Sequence, residues 1–341
     1  MGLLNNRIII DVRSPGEFRH AHIPGAHNIP LFDDEERKLV GTTYKQVGRQ
    51  DAIKEGLDFF GPKMRKMVEA VEQIKATNPT AEEEIFIHCW RGGMRSGAVA
   101  WLLDIYGFKI ATLVGGYKAF RNWVLDTFKQ AYKFRVVGGY TGSGKTVILE
   151  QIKGKGHPVI DLEDLAQHKG SVYGGFGKVQ PSSELFENKL ALELFKIQST
   201  SQSPIWIEDE SPKIGAVNVP WTIWQQMRES PLWFLDIPFD ERLNYICKEY
   251  GQIPVDSLIE SSLRIKKRLG GSVLNSVIEF LTQGNIKDAF ALLLKYYDKQ
   301  YGKGVNLRTP IPRDVQVVAL PDLDFKRNVE IVLKAAENTL A

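Results

Sequence analysis

The sequence predicts an α/β protein of two domains, each built on a parallel sheet, with a helical C-terminal part in the second. Three observations predict this. The chain has 341 residues, more than one hydrophobic core usually serves. Short apolar runs alternate with helical periodicity, the pattern of β/α units whose parallel strands are covered on both faces. The pattern also stops and restarts: after a helical stretch over residues 119–130 a new apolar strand begins at Phe134. The two domains are therefore expected over residues 1–132 and 133–341.

Taken in order, Ile8-Ile9-Ile10-Asp11-Val12 reads as a buried strand. Residues 63–75 follow with helical spacing, placing Met67, Val71 and Ile74 on one face. Ile85-Phe86-Ile87-His88 is a second strand, running into a Gly-rich turn and a helix over 96–106. Ala111-Thr112-Leu113-Val114 is a third, closed by Gly115-Gly116. In the second domain Phe134-Arg135-Val136-Val137 leads into another Gly-rich turn, and strands are expected at 158–162, 205–207 and 232–237. From about residue 240 the chain reads as helical, with Leu243, Ile246, Cys247 and Tyr250 on one face; Cys247 is expected in the core.

Composition narrows the function classes. No apolar run approaches the ~18–20 residues that span a bilayer. Residues 1–7 lack a basic region followed by a long apolar stretch, so no secretory signal is expected. Two cysteines, Cys89 and Cys247, make no disulfide framework. The expected location is the reducing cytoplasm, where a thiol is free to do chemistry. The net charge is +3, with the whole excess in residues 1–133. A nucleic-acid surface would then be a local patch. Arg264, Lys266, Lys267 and Arg268, or Lys303, Arg308 and Arg313, are candidates against the plainer reading of solvated helix faces.

Two loops carry chemistry. His88-Cys89-Trp90-Arg91-Gly92-Gly93-Met94-Arg95-Ser96 joins a strand to a helix. Backbone N–H groups of such a turn converge above the sulfur and the helix directs its positive end there, stabilising a thiolate and any anion it attacks or carries. Arg95 is a candidate clamp for that anion. A His-Cys-x5-Arg loop serves both cysteine phosphatases and sulfur or selenium carriers. The second loop, Gly139-Tyr140-Thr141-Gly142-Ser143-Gly144-Lys145-Thr146, has the phosphate-binding pattern in its strand–loop–helix context. Its glycines, with Thr141 and Ser143, let successive N–H groups wrap an oligophosphate; Lys145 neutralises it, and Thr146 can bind Mg²⁺. The partner carboxylate should end a neighbouring strand, with Glu208 and Asp209 the first candidates and Asp161, Glu163 and Asp164 a competing set. The Gly-rich stretch 170–178, with interleaved aromatics, reads as a lid, a stacking surface or a plain loop, and His168 beside it as a ligand, a donor or a surface histidine.

Family resemblance resolves part of this. The flanks Asp11-Val12-Arg13-Ser14-Pro15-Gly16-Glu17-Phe18, His22-Ile23-Pro24-Gly25-Ala26 and Gly115-Gly116-Tyr117 resemble the rhodanese family, with Asp11 and Arg13 bracing loops. The loop from Cys89 to Arg95 is one residue longer than the common sulfur-transferring form, which suits a tetrahedral, phosphorus-bearing donor. A rhodanese domain followed directly by a P-loop NTPase-like domain, with Val40-Gly41-Thr42-Thr43-Tyr44-Lys45-Gln46 between the rhodanese motifs, resembles the tRNA 2-selenouridine synthase family over nearly the whole chain.

That resemblance implies a transferase acting on wobble 2-thiouridine in a tRNA anticodon stem-loop. The sulfur is first alkylated from geranyl diphosphate and then replaced by selenium from selenophosphate. Cys89 would carry or deliver selenium, and Arg91 and Arg95 would hold the donor. Gly144, Lys145 and Thr146 would cradle the diphosphate within the loop from Gly139, Thr141, Gly142 and Ser143, with Asp209 as the partner carboxylate. Trp206, Trp221, Trp224 and Trp233 are candidates to line a pocket for the hydrocarbon, or else core residues. The competing expectations are a sulfurtransferase–kinase that turns over ATP, a cysteine phosphatase, and a non-catalytic nucleotide-sensing adaptor.

Overall fold

A computed structural model describes residues 6–169, 176–307 and 314–338. Packing divides the chain into two compact units, Met1–Thr127 with Glu187–Lys189, and Phe128–Phe186 with Leu190–Ala341.

The first unit contains β1 (Ile9–Asp11), α1 (Pro15–His20), β2 (His27–Asn28), α2 (Asp34–Gln46), α3 (Arg49–Phe60), α4 (Met64–Thr77), β3 (Ile85–His88), α5 (Met94–Tyr106), β4 (Ile110–Thr112) and α6 (Gly116–Thr127). The strands form a parallel sheet in the order β2-β1-β3-β4, with Ile10 opposite Ile87 and Ile87 opposite Thr112. Ile10, Ile85 and Ile87, on one face of that sheet, share a core with Met67 and Val71 of α4 and Val99 and Leu103 of α5. The chain reverses its direction of travel between β1 and β3, and in open parallel sheets the crevice beyond the strand ends at such a point is the usual binding site. Cys89 follows β3 there. Helices α1 and α2 start at Ser14 and Asp33, each in a capping box with the glutamate three residues on, Glu17 and Glu36. The α2–α3 hairpin contains the Val40–Gln46 segment singled out in the sequence.

The second unit contains β5 (Phe134–Gly139), α7 (Lys145–Gly154), β6 (Val159–Ile160), α8 (Leu162–Ala166), α9 (Ser183–Thr200), β7 (Ile205–Glu208), β8 (Lys213–Ile214), β9 (Val217–Asn218), α10 (Trp221–Glu229) and β10 (Leu232–Asp236). It continues with α11 (Phe239–Tyr250), α12 (Val255–Arg264), α13 (Lys266–Leu269), α14 (Gly271–Thr282), α15 (Ile286–Leu307), β11 (Val315–Ala319) and α16 (Phe325–Asn338). Its parallel sheet has the order β11-β10-β5-β7-β6. Trp206 and Trp233 meet at 5.3 Å inside the core, between α7 and α16. Helices α11, α12, α14 and α15 bury Leu243, Leu258, Val277 and Phe290 in a separate cluster, with Cys247 packed against it. The helical reading past residue 240 overlooked β11, an edge strand of which only Val318 is buried, although Val317-Val318-Ala319-Leu320 is a short apolar run. No helix among the described residues is long and apolar enough to cross a membrane.

The first unit is braced by a buried ion pair. Arg13 Nη2 donates to Asp11 Oδ2 at 2.6 Å and to the Ala21 carbonyl at 2.8 Å, and both charged side chains are sealed from solvent. The Arg13 guanidinium also lies 3.8 Å from the centroid of the Tyr117 ring. His88 is buried 3.7 Å from Asp11, and burial holds it below the usual histidine range, so it is neutral here. Removing one partner of such a pair leaves a buried charge without compensation. Asp11→Ala is predicted to destabilise the first unit by about 3–5 kcal/mol, read as a lower urea midpoint for its unfolding transition.

Candidate functional site

The cysteine loop spans the gap between β3 and α5. Helix α5 starts at Gly93 with no side-chain cap, so its first N–H groups remain available to an anion. Ser96 Oγ lies 3.3 Å from Cys89 Sγ and 3.1 Å from the Gly93 carbonyl, and its single proton turns to the sulfur when that is a thiolate. Burial pushes the Cys89 thiol up, but hydrogen bonds from the Ser96 hydroxyl and from the backbone of Ser96, Gly93 and Arg91 outweigh it. The net shift is downward, toward a thiolate. Gly116 locks the loop from outside: it sits at φ +60°, and a Cβ there would lie 2.4 Å from both the Cys89 carbonyl oxygen and the Gly92 nitrogen. The adjacent Tyr117 and Lys118 N–H groups donate to the carbonyls of Cys89 and Trp90, each at 2.9 Å.

Arg91 is exposed at the loop, and Arg95 is half-buried and donates to Glu17 Oε2 at 2.8 Å. Burial would raise Glu17, but Arg95 and then Arg37 hold its carboxyl below the usual range. Glu17 was read only as part of a family motif, because its role as the α1 capping-box residue gives no hint of Arg95, 78 residues away. Cys89, Arg91 and Arg95 all line one cavity of about 790 Å³, whose other walls come from α2 and α3.

The phosphate loop runs from β5 into α7, another helix with no side-chain cap, its N-cap Gly144 being at φ +70°. Lys145 Nζ rests on the Gly139 carbonyl at 3.2 Å. Arg242 braces the loop, donating to the Thr141 carbonyl at 3.1 Å and to both Asp298 oxygens at 2.8 and 2.9 Å. Gly139, Thr141, Gly142, Gly144, Lys145, Thr146 and Asp209 line a cavity of about 500 Å³; Ser143 is buried in the loop, with no hydrogen-bond partner at its hydroxyl.

The acidic residues around that cavity divide. Asp209 accepts from Arg228 at 2.8 Å and Tyr301 at 2.6 Å. Glu163, Glu208 and Glu210 instead bring carboxylate oxygens within 4.8 Å of one another. Thr146 Oγ1 donates to Glu163 at 3.1 Å, the Glu163 N–H donates to Glu208, and the buried second oxygen of Glu208 has no partner. Burial, then the Glu163 charge, raises Glu208 well above the carboxylate range and pushes Glu210 up to about 7. This donor set fits a divalent cation beside a phosphate. Of the competing set only Glu163 joins it. Asp161 caps α8 through the Asp164 N–H, and Asp164 accepts from Gln167.

Residues 132–309 match the family described as tRNA 2-selenouridine synthase AAA domain, and residues 2–122 match the rhodanese-like domain. The chain belongs to the tRNA 2-selenouridine synthase family. Among proteins with this name, that of Ectopseudomonas mendocina is 34% identical over 332 residues, covering 87% of each chain. That of Pseudomonas fluorescens is 36% identical, covering 79% of this chain and 77% of its own. A solved N-terminal domain of a putative ATP/GTP binding protein from Clostridium difficile is 42% identical over 36% of this chain and 92% of its own, with a TM-score of 0.33.

Among the described residues, the remaining candidates in this synthase-family chain line neither of the two cavities. Trp206 and Trp233 are core residues, whereas Trp221 is exposed and stacks on Trp224 at 5.0 Å. Arg264 pairs with Glu260 on the surface, and Lys266 and Lys267 are exposed. The Arg268 and Lys303 side chains, Arg308, Arg313 and residues 170–175 lie outside the described residues. His168 is half-buried, and burial lowers its pKa.

Two predictions follow from these groups. The alkylation rate of Cys89 by iodoacetamide is expected to reach half its maximum below pH ~8.5, the free-thiol value, and Ser96→Ala should move that midpoint up. Glu210, whose folded-state pKa is raised, favours folding most below the ordinary carboxylate value of ~4.3. That contribution is lost as pH rises through about 7, and the ionised carboxylate is the form that would take a cation. Saturating Mg²⁺ should therefore raise the melting temperature more at pH 8 than at pH 6, and Glu210→Gln should shrink the difference.

Proposed function

We propose that this chain is a tRNA-modifying transferase that converts wobble 2-thiouridine to 2-selenouridine through an S-geranyl intermediate, in the cytoplasm. Family membership supports the tRNA reading. The observation that carries the rest is that one chain holds both a thiol lowered within an anion-binding loop and a phosphate loop with its own cation donors. These are the two devices the two steps need.

In the first step the thiocarbonyl sulfur attacks C1 of geranyl diphosphate. A C–S bond forms, the C–O bond breaks, and diphosphate leaves with the electron pair. Lys145 and the N–H groups from Gly139 to Thr146 receive that charge. Thr146, Glu163, Glu208 and Glu210 are the residues that would hold Mg²⁺, which when bound neutralises diphosphate charge. In the second step a C–Se bond forms at C2 of the base and the C–S bond breaks, releasing geranylthiol. Water cleaves the P–Se bond of selenophosphate to give phosphate. Cys89 delivers the selenium at the selenide level, with no sulfur–selenium bond, lying beside C2 as selenide leaves phosphorus; Arg91 and Arg95 hold the anionic donor, Arg95 exchanging Glu17 for it. Alkylation comes first because a thiocarbonyl sulfur is a poor leaving group and a thioether sulfur a better one.

The test is mass spectrometry of a 2-thiouridine anticodon stem-loop incubated with the protein, geranyl diphosphate and Mg²⁺, before and after adding selenophosphate. The expected result is a gain of one geranyl group, then its replacement by selenium. Lys145→Ala should slow the first step by roughly a hundredfold or more, and Cys89→Ser should accumulate the alkylated RNA. Unchanged RNA mass with active ATP hydrolysis would favour a sulfurtransferase–kinase instead.

A further inference from the structure

The α2–α3 hairpin leaves apolar side chains uncovered on the side that faces the cysteine loop. None of α2 is buried, and α3 buries only Ala52, Gly56 and Phe60. Ile53 and Leu57 of α3 are 40% and 56% exposed, and Met94 at the start of α5 is 51% exposed. All three line the 790 Å³ cavity above a floor of Phe32 and Phe60, and Cys89 is in its wall. That volume is in the range of small-molecule sites, about 300–1,000 Å³. Its rim is cationic, formed by Arg37, Lys38, Lys45 and Arg91. The phosphate-loop cavity has a different lining, rich in carboxylates and tyrosines.

An aliphatic trough that ends at a nucleophilic sulfur and is edged by cations suits a ligand that is hydrocarbon at one end and polyanionic at the other. Diffuse cations along a rim match a nucleic-acid backbone. We infer that this trough binds the hydrocarbon chain of an S-alkylated thionucleotide within an RNA strand, holding its C2 carbon beside Cys89 while the rim holds the flanking phosphates. This rests on the alkylated intermediate proposed above and adds where its chain sits. It also assigns work to apolar side chains that the rhodanese core does not need.

The experiment measures affinities of the full-length protein for stem-loop RNAs carrying 2-thiouridine, either free or S-alkylated with methyl, five-carbon prenyl or geranyl groups. The expected result is affinity that rises with chain length, at least tenfold from methyl to geranyl. The double variant Ile53→Gln, Leu57→Gln replaces half-exposed positions by a good helix former. It should bind the unalkylated RNA as before while its methyl and geranyl affinities agree within about twofold. A flat series in the unsubstituted protein, on RNA that still binds, overturns the trough assignment alone. A series that rises equally in the variant also overturns it. Failure of the unsubstituted protein to bind any of the RNAs overturns the tRNA reading on which the assignment rests.

Discussion

Much of the first unit depends on the ion pair between Asp11 and Arg13, which has to exist in a place where neither charge meets water. Asp11 ends β1, and Arg13 reaches from the next turn to the Ala21 carbonyl beyond α1 and to the face of Tyr117 at the start of α6. Three segments that are distant in sequence are therefore positioned by one guanidinium. Tyr117 is also the residue whose backbone N–H grips the Cys89 carbonyl. The placement of the sulfur is thus connected, through one aromatic residue, to a charge pair in the core.

The two helices that follow the chemistry-bearing loops differ from α1 and α2 in one respect. Ser14 and Asp33 cap their helices with their own side chains, whereas α5 and α7 begin at glycines that cannot. Leaving those N–H groups without a side-chain cap costs helix stability, only about a few tenths of a kcal/mol where the cap is glycine, and leaves donors for an anion. In the second unit the counterpart is the Glu163–Glu208–Glu210 cluster, where burial and mutual repulsion raise the carboxyls of Glu208 and Glu210 toward their protonated forms. Both arrangements are poor for an empty protein and good for one with a charged ligand.

What could be read from the sequence was local. The cysteine loop and the phosphate loop are each continuous, and their strand–turn–helix setting follows from apolar runs on one side and helical spacing on the other. Glu163 could not be preferred over its neighbours, because its link to Thr146 and Glu208 depends on the strand order that places β6 next to β7. Asp209 looked equivalent to Glu208 as an acid at a strand end, yet it alternates to the opposite side and meets Arg228 and Tyr301. The tryptophans were ambiguous for a similar reason: composition shows that they are large, and only packing shows that Trp206 and Trp233 are buried against each other. The trough beside Cys89 escaped notice because its walls come from two helices whose apolar residues are spaced as if for a core.

The crossing of Gly116 over the cysteine loop has a consequence for how this protein can vary. The bonds that fix the loop run from the N–H groups of Tyr117 and Lys118 to the carbonyls of Cys89 and Trp90, main chain to main chain. Exchanging Trp90 or Lys118 for other side chains would alter the surface around the sulfur while leaving those bonds in place. The two glycines that meet at the crossing, Gly116 and Gly92, have no substitute, because a Cβ on either would collide with backbone that cannot rotate away. The scaffold therefore separates the two tasks: what the loop recognises can drift, and where it holds the sulfur cannot.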